Sequence, residues 1–113
     1  MFKDLFKKKT VEFPTPPLSQ PVTNNLNGIT AEKEDDTEEA IALYEQNVAA
    51  RFDGDHPYKR LAIIYRKQKR YDDEVSVLEA AVDVFSKLQR QDAPKKLEYF
   101  KDRLEKAKEL QRR

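Results

Sequence analysis

The sequence predicts an all-α fold, and three observations lead to this prediction. Charged residues make up 38% of the chain and apolar residues also 38%, a balance typical of helices with one apolar and one solvated face. From Ile41 onward, apolar side chains recur at steps of three and four residues, which is helical spacing. Short turn signals separate these runs, so we expect four antiparallel helices with brief connections.

Residues 1–34 differ from the rest of the chain. They contain a proline cluster, an asparagine-rich run and then an acidic run; the prolines are Pro14, Pro16, Pro17 and Pro21. Such a composition buries too little apolar surface to offset the entropy lost on ordering. We therefore expect residues 1–34 to form a flexible, disordered arm and residues 35–113 to form one helical domain.

The first predicted helix covers about residues 37–51. Asp36 followed by Glu39 forms a capping-box pattern at its start. Behind this cap, Ile41, Tyr44 and Val48 recur at helical spacing. The glycine-containing break at residues 53–55 ends the helix.

Proline punctuates the starts of the later helices. Pro57 opens a second helix over about 57–69, because a proline in the first turn loses no helical hydrogen bond. A third helix covers about 72–90. Asp92 as a cap and Pro94 in the first turn open a last helix that reaches about residue 111.

The helices repeat along the chain with a shift that is called the repeat offset below; in the fourth helix one further position, which superposes Ala62 on Leu97 and Tyr65 on Phe100, fits the apolar stripe better. The repeat offset superposes apolar positions of the first helix on those of the third, and one tyrosine of the second helix on one of the fourth: Ile41 on Val75, Tyr44 on Leu78, Val48 on Val82, and Tyr65 on Tyr99. The repeat offset contains two helices and equals the period of the tetratricopeptide repeat, which is about 34 residues. Internal repetition of this kind predicts a short solenoid.

Residues 37–111 resemble the tetratricopeptide repeat family. The positions that carry the resemblance lie between Tyr58 and Ala81, and they are Tyr58, Leu61, Ala62, Tyr65, Leu78 and Ala81. Two positions depart from the pattern, because Glu74 replaces a small residue early in the second helix and Lys69 replaces a turn glycine. The resemblance implies a groove along the first helix of the repeat that binds a peptide segment of another protein.

A basic stripe is the first candidate site. Six basic residues and no acid lie between Lys59 and Arg70, and helical geometry puts part of them on the face opposite the apolar stripe. The predicted partner-binding residues are Lys59, Ile63, Arg66, Lys67 and Arg70. We expect a partner of acidic character, with Ile63 as apolar anchor; the alternative is a merely solvated face. The acidic run Glu32 to Glu39 could also cover the stripe as an inhibitory lid.

Two further segments are candidates for contact with other molecules. The last helix carries an apolar stripe that would support a homodimer or fold back over the groove, and its residues include Leu97, Phe100, Leu104 and Leu110. Phe2, Leu5 and Phe6 at the N-terminus recur at helical spacing among lysines, as in a docking or membrane-anchoring segment. A structural self-associating subunit and a peripheral anchor therefore stand as alternatives to the binding module.

Several function classes find no support in the sequence. Cysteine is absent, His56 is the only histidine, and no glycine-rich phosphate loop is present, so we expect no enzyme, no cofactor and no metal site. The formal charge of +1 gives no overall attraction to nucleic acid. No apolar run is long enough to span a bilayer. We expect a cytoplasmic protein without a nucleic-acid partner and without membrane contact.

Overall fold

The computed structural model describes residues 18–113, which form five α-helices and no strand. The helices are α1 (Gln20–Lys33), α2 (Thr37–Ala49), α3 (His56–Lys67), α4 (Tyr71–Lys87) and α5 (Ala93–Arg112). The all-α prediction is confirmed. The four predicted helices correspond to α2–α5, with boundaries that differ by at most about three residues, as is usual at frayed ends.

The helix α1 corrects the prediction that the chain is a flexible arm up to residue 34. Ser19 caps it by accepting a hydrogen bond from the backbone N–H of Val22 (3.4 Å), and Pro21 lies in its first turn. The helix packs on α2. Its buried residues are Asn24, Gly28 and Ala31, so polar and small side chains, which composition arguments discount, hold it in place. Residues 1–17 lie outside the described part.

The hydrophobic core follows the order of the chain, because each helix packs on the next one and α4 also touches α2. The densest part is an aromatic cluster of Tyr58, Phe85 and Phe100, with ring centroids 5.4–6.2 Å apart. The Tyr58 hydroxyl donates to the Phe52 carbonyl (2.6 Å), and burial raises its pKa to about 12. Tyr65 is buried, as predicted.

The two turns that close the α1–α2 and α3–α4 hairpins are the same, and the repeat offset relates one to the other. In the first, the N–H of Asp36 donates to the Ala31 carbonyl (2.8 Å), and in the second the N–H of Arg70 donates to the Tyr65 carbonyl (2.8 Å). The residue before each donor, Asp35 or Lys69, has a φ of 60°. Glycine would adopt this left-handed conformation at lower cost.

Of the two helix caps predicted at Asp36 and Asp92, the structure contains a side-chain cap only at Asp36. The Asp36 carboxylate accepts the N–H of Glu39 (3.2 Å), which confirms the first half of the capping box. Asp92 lies at the N-cap position of α5, but its side chain accepts no hydrogen bond from the backbone N–H groups of the first turn. Its carboxylate instead pairs with Arg90 (3.1 Å) and Lys96 (3.6 Å), because two cations are within its reach. Among the helices described, none is long and apolar enough to cross a membrane.

Candidate partner-binding surface

The basic stripe lies on α3 and in the turn after it, but its members have different surroundings. Lys67 and Arg70 are exposed, whereas Lys59, Ile63 and Arg66 are half-buried. Helical spacing predicted that these residues share one basic face. The structure instead engages both arginines with acids of the same chain.

Arg66 belongs to a buried ion cluster. Its guanidinium contacts the carboxylate of Glu74 at 2.7 Å and donates to the Arg103 carbonyl (3.3 Å). Glu74 is fully buried, and Arg103 approaches the same carboxylate oxygen at 3.5 Å. The second carboxylate oxygen of Glu74 and the Nε of Arg103 are buried without a hydrogen-bond partner. The cluster joins α3, α4 and α5, so Arg66 has a structural role before any role in binding.

Arg70 is also occupied. Its Nε donates to the Asp73 carboxylate (2.8 Å), and its guanidinium lies 4.7 Å from the centre of the Tyr65 ring. The Tyr65 hydroxyl in turn donates to Glu45 of α2. Burial and the neighbouring Glu45 carboxylate raise the pKa of Tyr65 well above its usual range. Arg70 therefore covers the end of the α3–α4 hairpin.

A second internal pair ties α1 to α3. Glu32 binds Arg60 through two hydrogen bonds (2.6 and 3.1 Å) and accepts a third from the Tyr44 hydroxyl (2.7 Å). Burial alone would raise the pKa of Glu32, but the hydrogen bonds from Arg60 and Tyr44 outweigh it and hold the pKa below its usual range. One residue of the acidic run thus contacts the basic helix, as a fixed part of the fold.

His56 completes this network from the first turn of α3. Its Nε2 is 3.2 Å from the Tyr44 oxygen, and because that hydroxyl donates to Glu32, the imidazole is the donor to Tyr44. Burial lowers the pKa of His56, and Arg60 and Lys59 lower it further, against the opposing effect of Glu32 and Asp55. The imidazole is thus held neutral near pH 7.

A cavity lies between α3 and α5 at the Lys59 end of the basic stripe. Its volume is about 310 Å³, and its lining includes Lys59, Lys95, Lys96, Tyr99 and Phe100. The Lys59 ammonium lies over the Tyr99 ring, 4.9 Å from its centre.

Two aspartates moderate the positive charge of this cavity. Asp55 contacts Lys96 at 3.1 Å and Lys59 at 3.7 Å, and Asp92 contacts Lys96 at 3.6 Å. The cavity therefore combines an aromatic wall with three ammonium groups and two carboxylates.

Ile63 and Lys67 lie at the other side of α3. They border a cavity of about 220 Å³ whose lining also includes Glu32, Asp35 and Arg60. The acidic end of α1 therefore faces these two residues. The structure separates Lys59 from Lys67 by placing them beside different neighbouring helices.

Most of the apolar stripe of α5 packs against the hydrophobic core. Phe100 is fully buried against Tyr58 and Phe85. It is therefore not available for self-association, and its predicted role in a dimer contact is corrected. Leu97 and Leu104 pack against the core from half-exposed positions, and Leu110 is half-exposed near the end of the helix. The docking candidates Phe2, Leu5 and Phe6 lie outside the described residues.

Sequence reasoning missed the residues that pair with the basic stripe and those that complete the cavity. Glu74 stood out only as a departure from the repeat pattern, and no pattern singled out Arg103 or Lys96. The pairing of Glu74 with Arg103 spans 29 residues, and no local spacing reveals a contact at that distance along the chain. Lys59 in the basic stripe and Tyr99 in the repeat were the available signals for the cavity.

Comparison with known proteins adds no relative. The chain matches no protein-family model, no curated protein and no solved structure. Within residues 18–113, no group of three histidine, cysteine or acidic side chains is placed to hold a metal ion.

Proposed function

We propose that this protein is a non-catalytic module that binds an acidic and partly apolar segment of another protein along α3. The observation that carries the proposal is the cavity at Lys59. Three ammonium groups there surround an aromatic wall, and this combination suits a peptide that presents a carboxylate next to an apolar side chain. The module acts in the cytoplasm as an adaptor, without a cofactor.

The repeated hairpins support a tetratricopeptide-like architecture for this module. The hydrogen bonds that close the two turns, from the Asp36 N–H to the Ala31 carbonyl and from the Arg70 N–H to the Tyr65 carbonyl, correspond at the repeat offset. This offset equals the period of that family. In such an arrangement α1, α3 and α5 are the first helices of successive units. Lys59, Ile63 and Lys67 then lie along the groove, with Lys95 and Lys96 contributed by α5.

The ion pairs divide the basic stripe into binding and structural residues. Arg66 and Arg70 have carboxylate partners within 2.8 Å, so a ligand would have to compete with Glu74 or Asp73 for them. Lys59 has one longer carboxylate contact, to Asp55 at 3.7 Å, and Lys67 is exposed. We therefore assign the main contacts to Lys59 and Lys67 and a secondary role to Arg66 and Arg70.

The test is selection of peptides from a random library by the full chain at about 0.15 M salt, where exposed charges are partly screened. We expect enrichment of peptides with aspartate or glutamate beside an apolar residue. The double variant Lys59→Glu with Lys67→Glu should lose this enrichment. The matched control Lys101→Glu with Lys108→Glu reverses two exposed lysines of α5 and should keep it. Equal enrichment by both variants would refute the proposal.

Self-association through α5 is a second candidate. It is favoured by Leu97, Leu104 and Leu110, which stay half-exposed on one helix. Sedimentation equilibrium distinguishes it, because a concentration-dependent dimer that Leu110→Glu abolishes would support this alternative.

A further inference from the structure

The charges of this chain are separated between two layers of helices. The helices α2 and α4 touch each other and form one layer, and they carry eight acids and one base. The helices α3 and α5 lie side by side in the other layer, where Lys59 lies over Tyr99 and Arg66 contacts the Arg103 carbonyl. They carry eleven bases and four acids. The net charges are therefore −7 and +7, in a chain whose formal charge is +1.

This separation is a property of the surface. Glu74, Arg66 and Arg103 compensate one another inside the molecule. Without these three residues, α2 and α4 still have a net charge of −6, and α3 and α5 one of +5. We call the first surface the acidic layer and the second the basic layer. Exposed members of the two layers include Glu79, Asp83, Lys67 and Lys95.

The acidic layer has a cavity of its own between α2 and α4. Its volume is about 310 Å³, and Val48 and Val77 contribute to its apolar lining. Around them lie the guanidinium of Arg51 and four carboxylates, which belong to Glu45, Asp73, Glu79 and Asp83. Lysine side chains suit such a cavity, because the methylene stem packs on apolar groups while the ammonium reaches the carboxylates. The basic layer carries exposed lysines of this kind.

We propose that the acidic layer of one copy of this chain binds the basic layer of a second copy. Lys59, Lys67 and Lys95 of one copy then face the cavity of the next, with Glu79 and Asp83 at the centre of the contact. A second copy is the occupant for which the structure supplies both complementary surfaces. The formal charge of +1 also leaves little repulsion between copies, whereas a high net charge keeps proteins apart.

The stacking contact joins two different surfaces, so it is heterologous. Stacking therefore continues beyond two copies unless a ring closes, whereas a symmetric dimer through the apolar residues of α5 would stop at two. Salt weakens the stacking contact, because exposed charges interact over about 30 Å at about 0.01 M salt but over only about 3 Å at about 1 M. Assembly size and salt dependence thus distinguish the two kinds of self-association.

The stacking contact rests on the proposed function for its basic half, because Lys59 and Lys67 belong to both. The acidic half is separate, and substitutions there distinguish the two proposals. Glu79→Lys with Asp83→Lys should prevent stacking and leave the selection of acidic peptides unchanged. Failure of the peptide selection in a chain that still stacks would refute only the peptide site.

The test is sedimentation equilibrium of the full chain at about 0.01 M and about 1 M salt, at up to about 1 mM protein so that weak contacts are populated. At low salt we expect a weight-average mass above roughly twice the monomer mass, and at high salt the monomer mass. The acidic-layer variant Glu79→Lys with Asp83→Lys should be monomeric at both salt concentrations. The basic-layer variant Lys59→Glu with Lys67→Glu should be monomeric as well.

The matched control is Glu98→Lys with Asp102→Lys. It makes the same change of charge at the same spacing, at exposed positions of the basic layer, and should associate at least as strongly as the unsubstituted chain. Mixing the two monomeric variants in equal amounts should restore a 1:1 complex, because each retains the surface that the other lacks. This rescue also shows that both variants are folded.

Three results would overturn the proposal. One is a monomer at low salt at every concentration, and another is association that either charge reversal leaves intact. The third is the absence of a complex when the two variants are mixed. Association that survives both charge reversals and is lost in Leu110→Glu would assign the contact to the apolar residues of α5 instead.

Discussion

The two helical hairpins have similar backbone geometry at their turns but differ in the side chains packed between their helices. The α1–α2 hairpin and the α3–α4 hairpin have turns with the same hydrogen bonds and the same positive φ. Between α1 and α2, however, Asn24 and Asn47 form a buried amide network, in which Asn47 also donates to the Pro21 carbonyl (2.8 Å). At the corresponding positions the second hairpin has Tyr58 and Ala81.

The difference shows that the repeat keeps the backbone geometry while the size and the polarity of the buried side chains change. Gly28 in the first hairpin lies against the large Tyr44 ring, whereas Ala62 occupies the same place opposite the smaller Leu78. Early in the second helix, Ala40 of the first hairpin corresponds to Glu74 of the second, and both are fully buried. Two arginines compensate the charge that this exchange introduces.

The aromatic cluster, which joins the second hairpin to α5, should make this part of the molecule more sensitive to substitution than the first hairpin. Phe100→Ala removes a fully buried ring that contacts Tyr58 and Phe85. We expect the free energy of unfolding to fall by about 3–5 kcal/mol, since the cavity left behind adds to the lost burial. Urea denaturation followed by circular dichroism measures this effect. Leu110→Ala, at a half-exposed position of the same helix, is the control and should cost less than about 1 kcal/mol.

The buried carboxylate of the second hairpin should be the next most important group. Glu74→Ala leaves Arg66 and Arg103 without their common partner. Breaking a fully buried pair costs about 3–5 kcal/mol, but both arginines keep some solvent contact, so we expect about 2 kcal/mol. The measurement is again urea denaturation. Combining Glu74→Ala with Arg66→Met and Arg103→Leu should recover most of the loss, and a neutral Glu74→Ala would contradict the structural role.

The first hairpin should respond to a single methyl group. A Cβ at Gly28 would lie 2.4 Å from Cε1 and 2.7 Å from Cζ of Tyr44, and that ring is anchored by its hydrogen bond to Glu32. Gly28→Ala should therefore destabilise the protein by about 1–2 kcal/mol through overpacking. In an open helix the same change would stabilise by about 1 kcal/mol.

The matched change in the second hairpin is Ala62→Gly. It removes the methyl group of Ala62 and should lower the free energy of unfolding by about 1 kcal/mol, because glycine has a lower helix propensity than alanine. Thermal denaturation of both variants compares the two hairpins directly. A stabilising Gly28→Ala would mean that α1 does not pack as tightly as described.

The smallest predicted effect is a dependence of stability on pH. It arises at His56, which connects the two hairpins through its contact with Tyr44. The pKa of His56 is lowered from 6.5 in the folded protein, so the unfolded chain binds the proton more readily. Stability is therefore fully present above about pH 6.5 and declines as the pH falls through the folded-state pKa. The melting temperature should decrease modestly between about pH 7 and about pH 5, a range in which Glu32 stays ionised because its pKa is also lowered.

His56→Gln is the matched control for the pH profile. It removes the only histidine and should flatten the profile in this range while leaving the carboxylates unchanged. A profile that stays the same in this variant would assign the dependence to another group.

Local patterns predicted the helices α2 to α5, and interactions between distant residues account for what was missed. The capping pair Asp36 and Glu39 and the prolines at 57 and 94 act over one helical turn, so the sequence reveals them directly. The helix α1 escaped prediction because its interior is an amide network, and asparagine normally indicates turns. The pairing of Glu32 with Arg60 connects residues 28 positions apart, and the stripe seemed uniformly basic without it.

The order in which the helices pack also affects how the chain folds. Each hairpin closes through contacts between two consecutive helices, in a chain whose helices pack mainly on their neighbours in sequence, and such local topologies fold quickly. The aromatic cluster joins α3, α4 and α5 through large buried rings. The helix α1 is held by buried amides, by Gly28 against Tyr44 and by the pair of Glu32 with Arg60, and it contributes no aromatic side chain to this cluster. We therefore expect local unfolding of residues 18–113 to begin at α1.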